Sequence, residues 1–219
     1  MIQFIFILPL DKMTNTTPLF VAFEGIDGSG KTEQLGQVAK HLTEHSGLKI
    51  LNTREPWGDD ARIRIKNTDL PPLDQIQLIA EDRKAHCNWL REVWGDYDLI
   101  LCDRFTASTL AYQGYGEGLE IEGLIRVNET ATQGLKPDLV LLLDCPVNVS
   151  ANRLNRSLDK IEKNIHFLNR VRFGYLALAH RFNYQIIDAS KNKGNVFTDV
   201  LISLSKLMKS SWGDQHPIW

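Results

Sequence analysis

The residues with the most chemical content form one run, Gly25-Ile26-Asp27-Gly28-Ser29-Gly30-Lys31-Thr32. As residue types it reads G-x-x-x-x-G-K-[ST], the spacing of a phosphate-binding loop. Glycines let the backbone wrap closely around phosphate oxygens. The free N–H groups of the loop and of the helix that follows then point at the anion. Lys31 is expected to reach the terminal phosphates and the Thr32 hydroxyl to ligate Mg²⁺. Three more groups suit the same chemistry. Asp103 ends an apolar run and is placed to hold Mg²⁺ or its water shell, unless it is an ordinary strand-end ion pair. Arg54 and Arg104 follow apolar runs in the same way, and arginine meets phosphate with a planar, permanently charged fork.

These groups need elements to position them. Leu19 to Phe23 is short, apolar and partly β-branched or aromatic, which reads as a buried strand leading into the loop. Leu35, Val38, Ala39 and Leu42 recur at helical spacing after it, and Gly47 is a helix stop. Further strands are expected at Leu48–Leu51, Tyr97–Cys102, Leu139–Leu143 and Tyr184–Ile187. Helices are expected at Leu73–Trp94, around Val171–Ala179 and around Val200–Leu207. Strands alternating with helices give an α/β fold: a P-loop NTPase-like three-layer sandwich with a five-stranded parallel sheet flanked by helices. Ligands then bind at the carboxyl ends of the strands, where Asp27, Lys31, Arg54, Asp103, Arg104 and Asp144 all fall.

Length and composition set the frame. The 219 residues suit one α/β domain. The division expected is an N-terminal extension over 1–15, a single domain over 16–208 with a mobile lid near 152–164, and a C-terminal tail over 209–219. The apolar run Met1–Leu10 is too short to span a bilayer, which takes about 20 residues. It also lacks the basic start of a signal peptide. Met13 is a candidate start, with an edge strand or a membrane-surface segment as alternatives for the run before it. A formal net charge of -2 gives no reason to expect a nucleic-acid partner. Cys87, Cys102 and Cys145 are widely spaced and fit a reducing, cytoplasmic setting.

Taken together, the motifs resemble those of the thymidylate kinase family. They are Phe23-Glu24-Gly25 through Thr32, Thr53-Arg54-Glu55-Pro56, Asp82-Arg83 with His86, Asp103-Arg104-Phe105, Ser108-Thr109-Leu110-Ala111-Tyr112-Gln113-Gly114, Lys136-Pro137-Asp138, Asp159-Lys160-Ile161-Glu162 and Arg170 to Tyr175. The resemblance implies ATP as phosphoryl donor, Mg²⁺, dTMP as acceptor, small-molecule nucleotides as the only ligands, and a homodimer. Residues Gly25, Ile26, Asp27, Gly28, Ser29, Gly30, Lys31 and Thr32 would bind ATP. Asp27 would take the 3′-hydroxyl, Arg54 and Arg104 the acceptor phosphate, and Arg83 the thymine. Ser108, Thr109 and Gln113 would line the base pocket, and Tyr175 would crowd C2′. The chain is similar to the bacterial type with no arginine inside the P-loop, so Arg153 and Arg156 of the lid would approach the transferred phosphoryl group.

Four positions depart from the family pattern. Trp57 and Asp59 stand in a segment that is usually Arg-Glu-Pro-Gly-Gly-Thr. Lys160 stands where arginine is common in the lid. Ile79 stands where a phenylalanine usually stacks on thymine. These leave a second reading open, a kinase for another deoxynucleoside monophosphate. A third, a nucleotide-binding regulator without turnover, sits poorly with the intact Lys31, Thr32, Asp103 and Arg104.

Overall fold

The structure is a computed structural model that describes residues 17–66, 70–154 and 158–213. The expected N-terminal extension and Arg156 lie outside the described residues, as do the side chains of Asp159 and Lys160. The strands are β1 (Leu19–Glu24), β2 (Ile50–Arg54), β3 (Leu99–Asp103), β4 (Leu139–Asp144) and β5 (Gln185–Asp188). They form one parallel sheet in the order β2-β3-β1-β4-β5. The helices are α1 (Lys31–Ser46), α2 (Asp59–Lys66), α3 (Pro72–Val93), α4 (Thr106–Thr109), α5 (Ile121–Thr132), α6 (Val147–Arg153), α7 (Leu158–Phe182) and α8 (Lys193–Trp212), with a π-helical stretch over Leu110–Gly116.

Alternation along the central strands explains the layers. In β1, Leu19, Val21 and Phe23 enter one core, while Phe20 and Ala22 enter the other. In β3, Leu99 and Leu101 pair with the first set and Ile100 and Cys102 with the second. A strand with apolar residues at every position must be covered on both faces. The larger core is closed by α1, α7 and α8, through Val38, Leu42, Val171, Leu178, Val200 and Leu204. The smaller is closed by α3, through Cys87 and Leu90. Leu99 and Leu101 have no exposed surface, so truncating either to alanine should cost about 2–5 kcal/mol.

Register places the site. Asp103 lies opposite both Phe23 of β1 and Arg54 of β2, so the ends of three strands fall within one residue of the same level. Two glycines fit the loop to this sheet. A Cβ on Gly25 (φ 141°) would lie 2.5 Å from the Leu143 carbonyl oxygen. One on Gly28 (φ 79°) would lie 2.5 Å from the Ser150 carbonyl oxygen of α6.

Several elements differ from the sequence expectation. Strand β2 extends to Arg54, which is therefore a strand residue and not part of the following turn. Helix α8 runs to Trp212, so residues 209–212 are helical and not a tail. Helices α2, α4, α5 and α6 and the π-helical stretch have no counterpart among the expected elements. Among the described residues, no helix is long and apolar enough to cross a membrane.

Candidate active site

A cavity of about 690 Å³ lies over the carboxyl ends of the strands, within the usual size range for a small-molecule site. Residues from the phosphate-binding loop, β2, α3 and β3 line it, together with Ser108, Thr109, Tyr112 and Gln113.

The loop wall holds Lys31, Thr32 and Asp103. Lys31 sits in the first turn of α1, buried, with Nζ donating to the Ile26 carbonyl at 2.9 Å. Burial, and after it the nearby Arg104 cation, pull its pKa down to about 8. The Thr32 hydroxyl donates to Asp103 Oδ2. Asp103 Oδ1 is buried and, among the described residues, has no hydrogen-bond partner. A hydroxyl and an orphaned carboxylate oxygen side by side are a donor set for a hard cation. Mg²⁺ also keeps waters and phosphate oxygens as ligands, so few protein ligands are needed.

Behind the loop, Glu24 ends β1 as a fully buried carboxylate. It accepts from the N–H groups of Phe105 (2.7 Å) and Ser108 (3.2 Å), and from the hydroxyls of Ser108 (2.6 Å) and Tyr175 (3.1 Å). Burial raises its pKa despite these donors. Arg104 follows β3 with φ 73°, a conformation seldom adopted by a bulky residue and one that marks functional sites. Its guanidinium donates to Asp27, to the Gly25 carbonyl at 3.3 Å, to Ser108 Oγ at 3.1 Å and to the Tyr175 hydroxyl at 3.4 Å. It also lies over the Tyr112 ring, 5.3 Å from the centroid.

The far wall holds Arg54, Arg83, Ile79 and Gln113. Arg83 is almost wholly buried. Its Nε donates to Glu55 Oε2 at 2.8 Å, and Nη2 to the same oxygen at 2.7 Å and to the Phe105 carbonyl at 3.2 Å. Its Nη1 donates to Thr109 Oγ1 at 3.1 Å and to Asn128 Oδ1. Those contacts use all five N–H groups of a guanidinium. The expected hydrogen bond from Arg83 to a base therefore has no free donor here. Arg54 is the opposite case: exposed, on the cavity wall, and without a side-chain partner among the described residues. The Gln113 amide donates from Nε2 to Gln75 Oε1 at 3.2 Å and to Glu117 at 3.5 Å. A carboxylate can only accept, so the amide nitrogen must face Glu117, and Oε1 is the end left for a ligand.

Two further expectations meet a different geometry. Tyr175 is buried and does not line the cavity, because its hydroxyl is taken up by Glu24, Ser108 and Arg104. The phenol on the cavity wall is Tyr112, whose hydroxyl accepts from the Asp27 N–H at 3.2 Å. Arg153 does not reach the cavity either. It ends α6 and donates from Nη2 to the Ala189 carbonyl at 2.8 Å and from Nη1 to the Ser29 carbonyl at 3.5 Å, which joins the loop to the turn after β5. The sequence pattern assigns no role to Glu24, Glu55, Asn128 or Tyr112. Glu24, Glu55 and Tyr112 stand inside the matched motifs, but a carboxylate in a motif does not reveal that it is buried.

A parallel sheet whose first strand delivers a phosphate-binding loop into a cationic cavity defines the P-loop NTPase class. Comparison with known proteins narrows this. The profile described as thymidylate kinase matches residues 23–200. The thymidylate kinase of Pelotomaculum thermopropionicum is 41% identical over 203 residues, covering 86% of this chain and 94% of that protein. The probable thymidylate kinase 1 of Saccharolobus solfataricus is 37% identical over 187 residues, covering 85% and 96%. Among solved structures, the thymidylate kinase from Ehrlichia chaffeensis superposes with a TM-score of 0.68 at 27% identity, covering 85% of this chain and 98% of that one. The chain belongs to the thymidylate kinase family.

Proposed function

We infer that this chain transfers the γ-phosphoryl group of ATP to dTMP, giving ADP and dTDP. The observation that carries the reading is one cavity lined by both Lys31 and Arg54, the latter without a side-chain partner among the described residues. An oxygen of the dTMP phosphate attacks the γ-phosphorus, and the bond to the β–γ bridging oxygen breaks. Such a transfer needs alignment and charge neutralisation more than covalent help. The loop residues Gly25 to Thr32 cradle the ATP phosphates, and Lys31 neutralises charge at the transferred group. Arg54 holds the acceptor phosphate, and Arg104 supports it while fixing Asp27 for the 3′-hydroxyl. Thr32 and Asp103 would hold Mg²⁺, which supplies further neutralisation when bound.

At the base end, Gln113 Oε1 accepts the N3–H that thymine offers. Ile79 covers the ring, with Ser108 and Thr109 at the pocket edge. Arg83 acts by holding Thr109 in place and does not touch the base itself. Tyr112, rather than Tyr175, stands where it would crowd a 2′-hydroxyl. Arg153 braces the loop on the ATP side. Arg156 has the charge to approach the transferred group. The reading also takes the protein as a cytoplasmic homodimer that acts on free nucleotides and binds no nucleic acid.

A coupled assay with ATP, Mg²⁺ and each of dTMP, dUMP, dCMP and dGMP tests it. The expected result is the highest kcat/KM for dTMP. A preference for dCMP or dGMP would overturn the acceptor, and no turnover with any of them would overturn the activity. Light scattering on the purified protein tests the dimer.

A further inference from the structure

Trp57 is out of character for its segment, and the cavity does not explain it, since Trp57 is not among the lining residues. It is 37% exposed. Its ring stacks on His86, with centroids 5.9 Å apart and planes at 16°, and on Trp89, at 5.5 Å and 28°. His86 and Trp89 stack in turn at 6.1 Å and 20°. Three rings are therefore stacked against one another beside α3.

The backbone beneath that stack is held just as firmly. The N–H groups of Trp57 and Gly58 both donate to the Asp82 carboxylate at 2.7 Å. Arg62 donates to the carbonyls of Pro56 (3.4 Å) and Trp57 (3.3 Å). Upstream, the Thr53 hydroxyl meets His86 Nε2 at 2.8 Å. Glu55 shares its oxygens between Arg83 and His86, whose Nδ1 lies at 3.0 Å. Asp82, Arg83, His86 and Trp89 all come from α3, at spacings that put them near one face of the helix.

Arg54 sits in the middle of this arrangement. Thr53 and Glu55 bond to residues of α3, while the Arg54 side chain is exposed on the cavity wall. Both its neighbours are tied to α3, while its own guanidinium has no partner among the described residues. A long side chain with no partner of its own can be aimed only by its backbone.

We propose that Trp57 is a positioning residue for the acceptor nucleoside monophosphate. Its ring clamps the 53–58 segment onto His86 and Trp89 of α3 and so aims Arg54 at the acceptor phosphate. This rests on the reading of Arg54 as an acceptor-phosphate residue. The clamp acts on acceptor binding and leaves the ATP side of the cavity alone.

The test is a double-mutant cycle on KM for dTMP, with KM for ATP and thermal unfolding measured alongside. Arg54→Ala is expected to raise KM for dTMP by roughly tenfold to a hundredfold, the scale of one lost charged hydrogen bond. Trp57→Ala is expected to raise it by about tenfold, with KM for ATP unchanged. Trp57→Phe, which keeps a ring against His86, should recover most of that loss. Trp57→Leu, which keeps apolar cover without the stack, should not. In the Arg54→Ala background, Trp57→Ala should add less than about twofold, because the group it aims is gone.

The proposal is overturned if Arg54→Ala weakens dTMP use but Trp57→Ala does not. It is also overturned if the two losses multiply, or if Trp57→Ala lowers thermal stability with the ratio of the two KM values unchanged. If Arg54→Ala itself leaves KM for dTMP unaltered, the reading of Arg54 fails first and takes the clamp with it.

Discussion

Thr32 and Asp103 meet across 71 residues of chain: the Thr32 hydroxyl donates to Asp103 Oδ2 and joins the first turn of α1 to the tip of β3. The other carboxylate oxygen, Oδ1, is buried with no partner among the described residues. A buried polar atom left unpaired costs stability, and such an atom beside a phosphate-binding loop points to an ion. Asp103→Asn keeps the shape and removes the charge. The concentration of Mg²⁺ giving half-maximal activity should rise by about tenfold or more. ATP binding in EDTA, read by calorimetry, should change little. An unaltered Mg²⁺ requirement would remove Asp103 from the metal site.

Lys31 sets an alkaline limit on activity. With its pKa near 8 in the free protein, Lys31 is charged below that value and neutral above it. The profile of kcat/KM for ATP should therefore fall on the alkaline side with a midpoint near pH 8, whereas bound phosphates would move the midpoint of kcat upward. Stability moves the opposite way. Between about 8 and the ordinary 10.5, the unfolded chain holds a proton that the folded chain has released, so stability rises with pH through that window. Lys31→Met should lose that rise. A pH profile flat to 10 would show that Lys31 keeps its charge.

How much of this was legible in the sequence depended on whether the signal was local. The phosphate-binding loop is eight consecutive residues, and β1, β3 and β4 are unbroken apolar runs, so both stood out. Helix α5 has no clear sequence signal, although Leu124, Asn128 and Ala131 recur at helical spacing and Glu120 caps its N-terminus. Two polar residues among its four buried positions, Asn128 and Thr132, obscured the stripe. At the site, Arg54 could be placed because strand ends bind ligands. The fates of Arg83 and Tyr175 could not be read. Whether a polar side chain faces the cavity or is used up inside depends on partners 22 to 151 residues away, such as Phe105 for Arg83 and Glu24 for Tyr175. No local pattern records that.

Arg83 illustrates the difference. Burial pushes the Glu55 carboxyl up, but Arg83 and then His86 outweigh it and hold its pKa below the ordinary carboxylate range. Removing the guanidinium strands that charge. Arg83→Met should therefore destabilise folding by about 3–5 kcal/mol in urea titrations, and a second change, Glu55→Leu, should recover part of it. The preference for dTMP over dCMP should persist in whatever fraction stays folded. A stable Arg83→Met protein that no longer separates the two bases would return Arg83 to the base pocket.

The sugar end separates two tyrosines that the sequence does not. Tyr112 lines the cavity, with its hydroxyl on the Asp27 N–H, whereas Tyr175 spends its hydroxyl on the buried Glu24, on Ser108 and on Arg104. Tyr175→Phe should therefore act on stability. It removes one donor from a fully buried carboxylate, a loss of about 1–3 kcal/mol, and should leave the choice of sugar alone. Tyr112→Leu takes bulk from the wall without touching Glu24, so it should narrow the gap in kcat/KM between dTMP and its ribo counterpart by about tenfold. The comparison needs both acceptors, both variants and a denaturation curve for each. If the ribo counterpart gains in Tyr175→Phe and not in Tyr112→Leu, the sugar lies against α7 and the cavity wall has been assigned to the wrong ring.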